Sequence, residues 1–296
     1  MIETKWSRRL RLRRFPMPNP KPLETAVMFW AGKDPAETIA ELTSRGIHTG
    51  QLGIPGDFDL TAAPKWQQAL SAAKFRVFTV FAAYQGESYA DIPTVQQTVG
   101  FIPPATRHER EQRTIAVSDF AAAMGAPGIA THIGFVPESP HDADYIAVRD
   151  MVRRICDHAA RHGQTFALET GQEPAPVLLA FLNDVDRPNL GINFDPANMI
   201  LYGTGDPIEA LGILAGRVIT VHCKDGDWPE PGVPGVLGKE RALGAGSVGI
   251  APFLAKLRQV GYSGPLSIER EASDPVRRIN DIEAAIALLA DLKSAM

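Results

Sequence analysis

From residue 25 onward, short and almost continuously apolar runs alternate with longer amphipathic stretches. The runs are Ala26–Phe29, Thr49–Ile54, Val77–Phe81, Ile129–Ile133, Thr165–Leu168, Leu190–Phe194, Val218–Val221 and Pro265–Ile268. Each is too short for a helix and lacks the polar alternation of a half-exposed strand, as expected of parallel strands covered on both faces. Between them, apolar residues fall at three- and four-residue steps. Tyr145, Val148, Val152, Ile155 and Ala159 form one such stripe, closed by Gly163; Ile279, Ile282, Ile286 and Leu289 form the last. Asp34-Pro35 marks a helix start, with the acid as cap and the proline in the first turn. Eight strands alternating with helices over about 270 residues predict an α/β fold, a (β/α)8 TIM barrel over residues 25–296. A doubly wound sheet is the alternative.

Residues 1–24 read differently, as a basic, proline-rich arm. Arg8, Arg9, Arg11, Arg13 and Arg14 are followed by Pro16, Pro18, Pro20 and Pro22, not by the apolar stretch that a twin-arginine export signal requires. The expectation is a solvated or subunit-contacting arm, and barrels of this kind often pair, so a homo-dimer or tetramer is the default assembly. With 45% hydrophobic residues the 296-residue chain can bury a sizeable core. A net charge of −4 offers nothing to a polyanion, so no nucleic-acid partner is expected. No apolar run approaches the roughly 20 residues that span a bilayer, so no membrane is expected either. Two cysteines, Cys156 and Cys223, are too few for a disulfide framework and fit a reducing, cytoplasmic setting.

Two connections, about Ala82–Arg110 and Gly226–Val248, far exceed the usual strand–helix loop. Both follow strands, which places them at the catalytic mouth of a barrel and offers Tyr84, Tyr89 and Trp228 to a ligand. Residues Gly244 to Gly249 fit a dinucleotide fingerprint, but the charged Gly238-Lys239-Glu240-Arg241 precedes them where a buried strand should stand. Amides of that glycine-rich turn could instead hold a phosphate or hydroxyls. His158 and His162 have ligand spacing on a helix but no acid in HExxH position; they read as surface residues near a helix C-terminus.

Four of the apolar runs end in the same way, with an acidic or imidazole side chain: Leu168-Glu169-Thr170, Phe194-Asp195-Pro196, Val221-His222-Cys223-Lys224-Asp225 and Ile268-Glu269-Arg270. Spaced 26, 27 and 47 residues apart, they end the fifth to eighth strands and converge on the barrel axis. A buried carboxylate is costly unless it is paired or bound to a cation. Three carboxylates and one imidazole make a mixed oxygen and nitrogen site for Mn²⁺, Co²⁺ or Mg²⁺, with Zn²⁺ as a further candidate. Strand alternation turns His222 and Lys224 inward and Cys223 outward, as a small core residue.

Leu168-Glu169-Thr170-Gly171, Asp195-Pro196-Ala197-Asn198, His222-Cys223-Lys224-Asp225 and Ile268-Glu269 resemble the motifs of the xylose isomerase-like barrel superfamily. That superfamily holds sugar isomerases and epimerases and the apurinic endonucleases of the endonuclease IV type. The resemblance covers most of residues 25–293 and implies that Glu169, Asp195, His222 and Glu269 hold the metal. It also implies that Glu169 and Glu269 exchange protons with the substrate, and that His132, at the end of the fourth strand, lines the substrate pocket. Where many ketose 3-epimerases and the endonucleases carry histidine, this chain has Asn198, which can bind a hydroxyl but is a poor metal ligand. With only seven histidines in all, the three-metal site of the endonucleases is not expected.

The resulting expectation is a metal-dependent isomerase or epimerase of a small carbohydrate, working through a metal-stabilised enediolate. A dehydratase on the same site, acting on inosose-like ketones, and a non-catalytic sugar-binding barrel are the alternatives. Lys224 and Arg270 either bind a substrate oxygen or carboxylate, or are paired with Asp225 and Glu271. Asn198 and Trp228 complete the expected substrate contacts.

Overall fold

The computed structural model describes residues 23–296. All but the last two residues of the arm expected at 1–24 lie outside the described residues. Seven strands come first: β1 (Thr25–Trp30), β2 (Thr49–Ile54), β3 (Arg76–Ala82), β4 (Gly128–Thr131), β5 (Thr165–Glu169), β6 (Leu190–Phe194) and β7 (Val218–Cys223). A small antiparallel hairpin, β8 (Asp225–Asp227) and β9 (Lys239–Arg241), precedes the last barrel strand, β10 (Leu266–Ile268). β1 pairs in parallel with both β2 and β10, so the eight parallel strands close into a ring. Closure excludes the doubly wound sheet, which would leave two edges.

The helices are α1 (Pro35–Ser44), α2 (Ala63–Ala73), α3 (Ile92–Thr98), α4 (Pro104–Ala123), α5 (Ala143–Arg161), α6 (Ala175–Val185), α7 (Pro196–Tyr202), α8 (Pro207–Leu214), α9 (Ile250–Gln259) and α10 (Pro275–Ser294). Asp34, Asp195, Asp206 and Asp274 each precede a proline and accept amides of the first helical turn. The carboxylate satisfies donors that lack intrahelical partners, and the proline presets the backbone, so the chain turns sharply into the helix. Asp195-Pro196 does this directly at the end of β6.

Trp66, Phe166, Phe181, Phe194 and Phe253, all fully buried, belong to the main core where strands meet helices. Met28, Phe81, Ala130, Ala167 and Ile219, all from strands, form a smaller cluster. Gln51, Asn193, Thr220 and His222 are fully buried and bonded to one another. A bulge helps assemble them. Ile192 lies opposite Val218 but Asn193 lies opposite Thr220, so Ile219 is the extra residue on β7. The Thr220 hydroxyl then donates to Asn193 Oδ1 at 2.6 Å.

Both long connections carry structure of their own. The first contains α3 and is tied down by Glu87, whose carboxylate accepts from the amides of Tyr84 (3.1 Å) and Gly100 (2.8 Å). Gly100 has φ +70°, and a Cβ there would lie 2.0 Å from the backbone of Ile133. The second contains the hairpin and is organised by Asp225. That buried carboxylate accepts from the amides of Gly226 (2.9 Å), Gly244 (2.9 Å), Gly246 (3.0 Å) and Val248 (3.1 Å). The amides of Gly244 and Gly246, considered as a phosphate cradle, are therefore already occupied. Among the described residues no helix is long and apolar enough to cross a membrane.

Candidate metal centre and active site

Glu169 ends β5, Asp195 follows β6, His222 sits near the end of β7 and Glu269 follows β10. One donor atom from each lies within 4.8 Å of all the others. The convergence has a specific form. His222 Nδ1 faces Glu269 Oε2 at 3.0 Å, Glu169 Oε1 at 3.2 Å and Asp195 Oδ2 at 3.3 Å. A single Nδ1–H can point at one oxygen, not three, so the arrangement suits a multivalent cation shared by all four side chains.

Three of the four side chains are aimed by a neighbour. Asp195 divides its oxygens: Oδ1 caps α7 through the amides of Ala197 (2.8 Å) and Asn198 (3.0 Å), leaving Oδ2 for the centre. Asn198 Nδ2 donates to Glu169 Oε1 at 2.9 Å. His222 Nε2 is bonded to the side-chain oxygen of Gln51. Glu269 Oε2 is buried with no hydrogen-bond partner among the described residues, although Lys224 Nζ and His222 Nδ1 both lie 3.0 Å away. A carboxylate oxygen that faces two cationic groups without a well-aligned hydrogen bond to either has coordination capacity to spare for an ion.

The charges are strongly interdependent. Burial would raise the Glu269 carboxyl, but Lys224 and His222 hold it well below the usual range. Burial likewise opposes ionisation of Glu169, and His132 and His222 outweigh it, so its carboxyl titrates below its ordinary value. Asp195 goes the other way, pushed by burial up to about 6 despite its His222 hydrogen bond. Burial would lower His222 and Lys224, but the surrounding glutamates hold both well above their ordinary values.

The cluster opens into a cavity of about 310 Å³. His132, Asn198 and Lys224, three of the residues expected to contact substrate, line it with Tyr89 and Glu269. His132 Nε2 lies 3.8 Å from Glu169 Oε2, and its ring packs against Phe81 and Tyr89. Lys224 reaches Glu269 at 3.0 Å and Glu271 at 3.5 Å. Three residues stand elsewhere. Trp228 is 45% exposed and does not line this cavity. Arg270 is turned away and held by Glu240 and Asp281, each at 2.8 Å, not by Asp225 or Glu271. Tyr84 is buried, its hydroxyl 2.6 Å from that of Thr114.

Gln51, Asn193 and Glu87 are the polar residues that sequence reasoning missed. Gln51 lies in the run Thr49–Ile54, where a single amide among apolar and small residues was the available signal. A neutral buried amide inside a barrel strand needs partners, and here they are His222 and Asn193.

The family described as the xylose isomerase-like TIM barrel matches residues 39–292. A xylose isomerase domain protein from Planctomyces limnophilus has a solved structure that is 43% identical and gives a TM-score of 0.88, covering 93% of this chain and 98% of that one. An L-ribulose 3-epimerase from Methylomonas sp. strain DH-1 is 30% identical over 138 residues, which is 42% of either protein. The chain spans 42% and 60% of the lengths of the curated relatives it matches. A D-allulose 3-epimerase from Methylomonas sp., solved in complex with D-allulose, is 19% identical, covers 89% of this chain and 91% of that one, and gives a TM-score of 0.64, a likeness of fold alone.

Proposed function

The chain belongs to the xylose isomerase-like TIM barrel family, and from that premise we propose that it is a divalent-metal-dependent isomerase or epimerase of a small, uncharged polyhydroxy ketone or aldehyde. The observation that carries this reading is the three carboxylates around His222 Nδ1, one of which, Glu269, lines a sugar-sized cavity. Glu169, Asp195, His222 and Glu269 would hold the ion, which supplies Lewis-acid polarisation of a substrate carbonyl.

Moving a carbonyl or inverting a neighbouring centre requires a proton to leave a carbon beside that carbonyl. Glu169 and Glu269 stand on strands three places apart around the ring, with β6 and β7 between them. A substrate carbon between them can lose a proton to one and regain it from the other. Lys224, 3.0 Å away, favours the ionised form of Glu269, as a base must be. Asn198 fixes the orientation of Glu169 through its 2.9 Å hydrogen bond. His132 is placed to contact a substrate hydroxyl, and its Nδ1 is buried with no partner among the described residues.

The charge pattern of the cavity favours a substrate without phosphate. Glu87, Glu240 and Glu271 line it beside Glu269, and Lys224 is already engaged by two of these carboxylates. Arg270 is neutralised by Glu240 and Asp281, and the glycine-rich amides are filled by Asp225. The cellular setting we infer is cytoplasmic, with manganese, cobalt or magnesium as the native ion and no nucleic-acid partner.

Metal content and deuterium exchange test the reading together. Purified protein should hold about one manganese, cobalt or magnesium per chain, lost in His222→Ala and Glu169→Gln. In D₂O, a panel of free ketoses and inosose-like ketones should include one that takes up deuterium next to its carbonyl. Loss of water from that substrate would identify a dehydratase instead. No bound ion after incubation with each metal, or no exchange across the panel, would overturn the proposal.

A further inference from the structure

We propose that Asp119, His158 and His162 form a second metal site, on the outer helical layer of the barrel, that takes zinc, nickel or copper(II). His158 lies in the last turn of α5 and His162 is its cap; Asp119 comes from the neighbouring helix α4. The two imidazoles reach the same carboxylate oxygen, Asp119 Oδ1, with His158 Nε2 at 2.7 Å and His162 Nε2 at 2.9 Å. Their rings are 5.4 Å apart, and the three donor atoms lie within 4.8 Å of one another. None of the three belongs to the quartet in the barrel mouth.

Four-residue spacing on a helix puts both rings on one face, which is how a helix presents two imidazoles to one ion. A third donor, the Asp119 carboxylate, comes from across the α4–α5 contact. Zinc bonds nitrogen and carboxylate oxygen at about 2.0–2.2 Å, which sets tetrahedral donors roughly 3.3 Å apart. An opening of a few tenths of an ångström would therefore exchange the shared imidazole protons for one cation. The side chains are 19%, 34% and 54% exposed for His158, His162 and Asp119, so water can complete the coordination. Two imidazoles and one carboxylate favour zinc, nickel or copper over magnesium or manganese. The negative end of the α5 dipole adds to the attraction for a cation. An ion bound there would pin α4 to α5 and exist only in the folded state, so it would raise stability with concentration.

The site is independent of the reading of the barrel mouth, and the experiment keeps the two apart. Untagged protein is stripped with chelator, incubated with excess zinc chloride, desalted and analysed by elemental mass spectrometry. His162→Ala and Asp119→Asn should each hold one zinc fewer than the wild type, whatever the mouth retains, and both should keep the parent's circular dichroism. Copper(II) should give an electron paramagnetic resonance spectrum split by two imidazole nitrogens in Glu169→Gln, and that signal should vanish in the Glu169→Gln/His162→Ala double variant. Zinc should raise the melting temperature of Glu169→Gln by a few degrees and leave that of the double variant unchanged. Equal zinc content in the wild type and His162→Ala would overturn the proposal, as would a copper signal that survives the double substitution.

Discussion

His222 and Gln51 are three strands apart around the barrel, yet the imidazole Nε2 is bonded to the Gln51 side-chain oxygen. The amide is not free to turn over, because Gln51 Nε2 donates to Asn193 Oδ1 at 3.0 Å. With its oxygen committed to His222, Gln51 takes the Nε2–H and leaves Nδ1 for the three carboxylates. Partners behind metal-ligating histidines are worth about 10–100-fold in metal affinity or activity. Gln51→Ala should weaken retention of the ion by about that factor, read as the chelator concentration that strips it. Unchanged stripping would show that Gln51 only fills space.

Glu269→Gln preserves the shape of the site and removes one negative charge and one proton acceptor. General acid–base groups contribute about 10²–10⁴-fold, and this variant should lose at least that much deuterium exchange. The comparison with Asn198→Ala is informative. That change frees Glu169 from a 2.9 Å hydrogen bond without removing the carboxylate, so exchange should fall about tenfold. If Asn198→Ala were as inactive as Glu269→Gln, the amide would have a part in the chemistry itself.

Gly100 joins the two sides of the first long loop: its amide is held by Glu87 and its α-carbon abuts Ile133. Alanine there meets both a left-handed backbone and a Cβ only 2.0 Å from backbone atoms of Ile133 that cannot rotate away. Gly100→Ala should cost about 2–4 kcal/mol in a urea titration and displace Glu87 and Tyr89 from the mouth. A stability within 0.5 kcal/mol or so of the wild type would mean the loop relaxes freely.

Glu173 supplies a pH dependence. Its Oε1 accepts from the Val136 amide at 2.8 Å, its Oε2 has no partner among the described residues, and burial pushes its carboxyl up from 4.5 to about 8. Between those two values the folded chain keeps a proton that the unfolded chain has released. The stabilising contribution of the neutral form is therefore whole below about pH 4.5 and lost as pH rises through about 8. The wild type should lose up to about 5 kcal/mol across that interval, and Glu173→Gln should flatten the slope. Parallel pH–stability curves for the two proteins would assign the slope to other groups.

The barrel could be read from the sequence because strands buried on both faces leave uninterrupted apolar runs. All eight strands begin within one residue of their runs. The quartet could be read for the same reason: Glu169, Asp195, His222 and Glu269 each interrupt apolar character at a strand end. Contacts across the ring left no such trace. Gln51 meets His222 from 171 residues away, and the bulge at Ile219 changes no residue type. Nor could spacing reveal that Arg270 is held by Glu240 of the hairpin and Asp281 of α10. His158 and His162 showed their helical spacing, but their acid partner comes from another helix.

Asp225 brings its own counter-ion to the glycine-rich turn before α9. Gly246 has no room for a Cβ because the Asp225 carboxylate would lie 2.4 Å from it, so the turn is moulded around an anion that is part of the chain. Such a turn is set before any ligand arrives and gives up none of its amides to one. It is also a single side chain away from an anion-binding turn. Asp225→Gly would leave the amides of Gly244, Gly246 and Val248 facing a space the size of a carboxylate, the beginnings of a receptor for phosphorylated sugars. The shape of the turn is thus fixed from inside the chain, by one carboxylate that stands where an outside anion would otherwise sit.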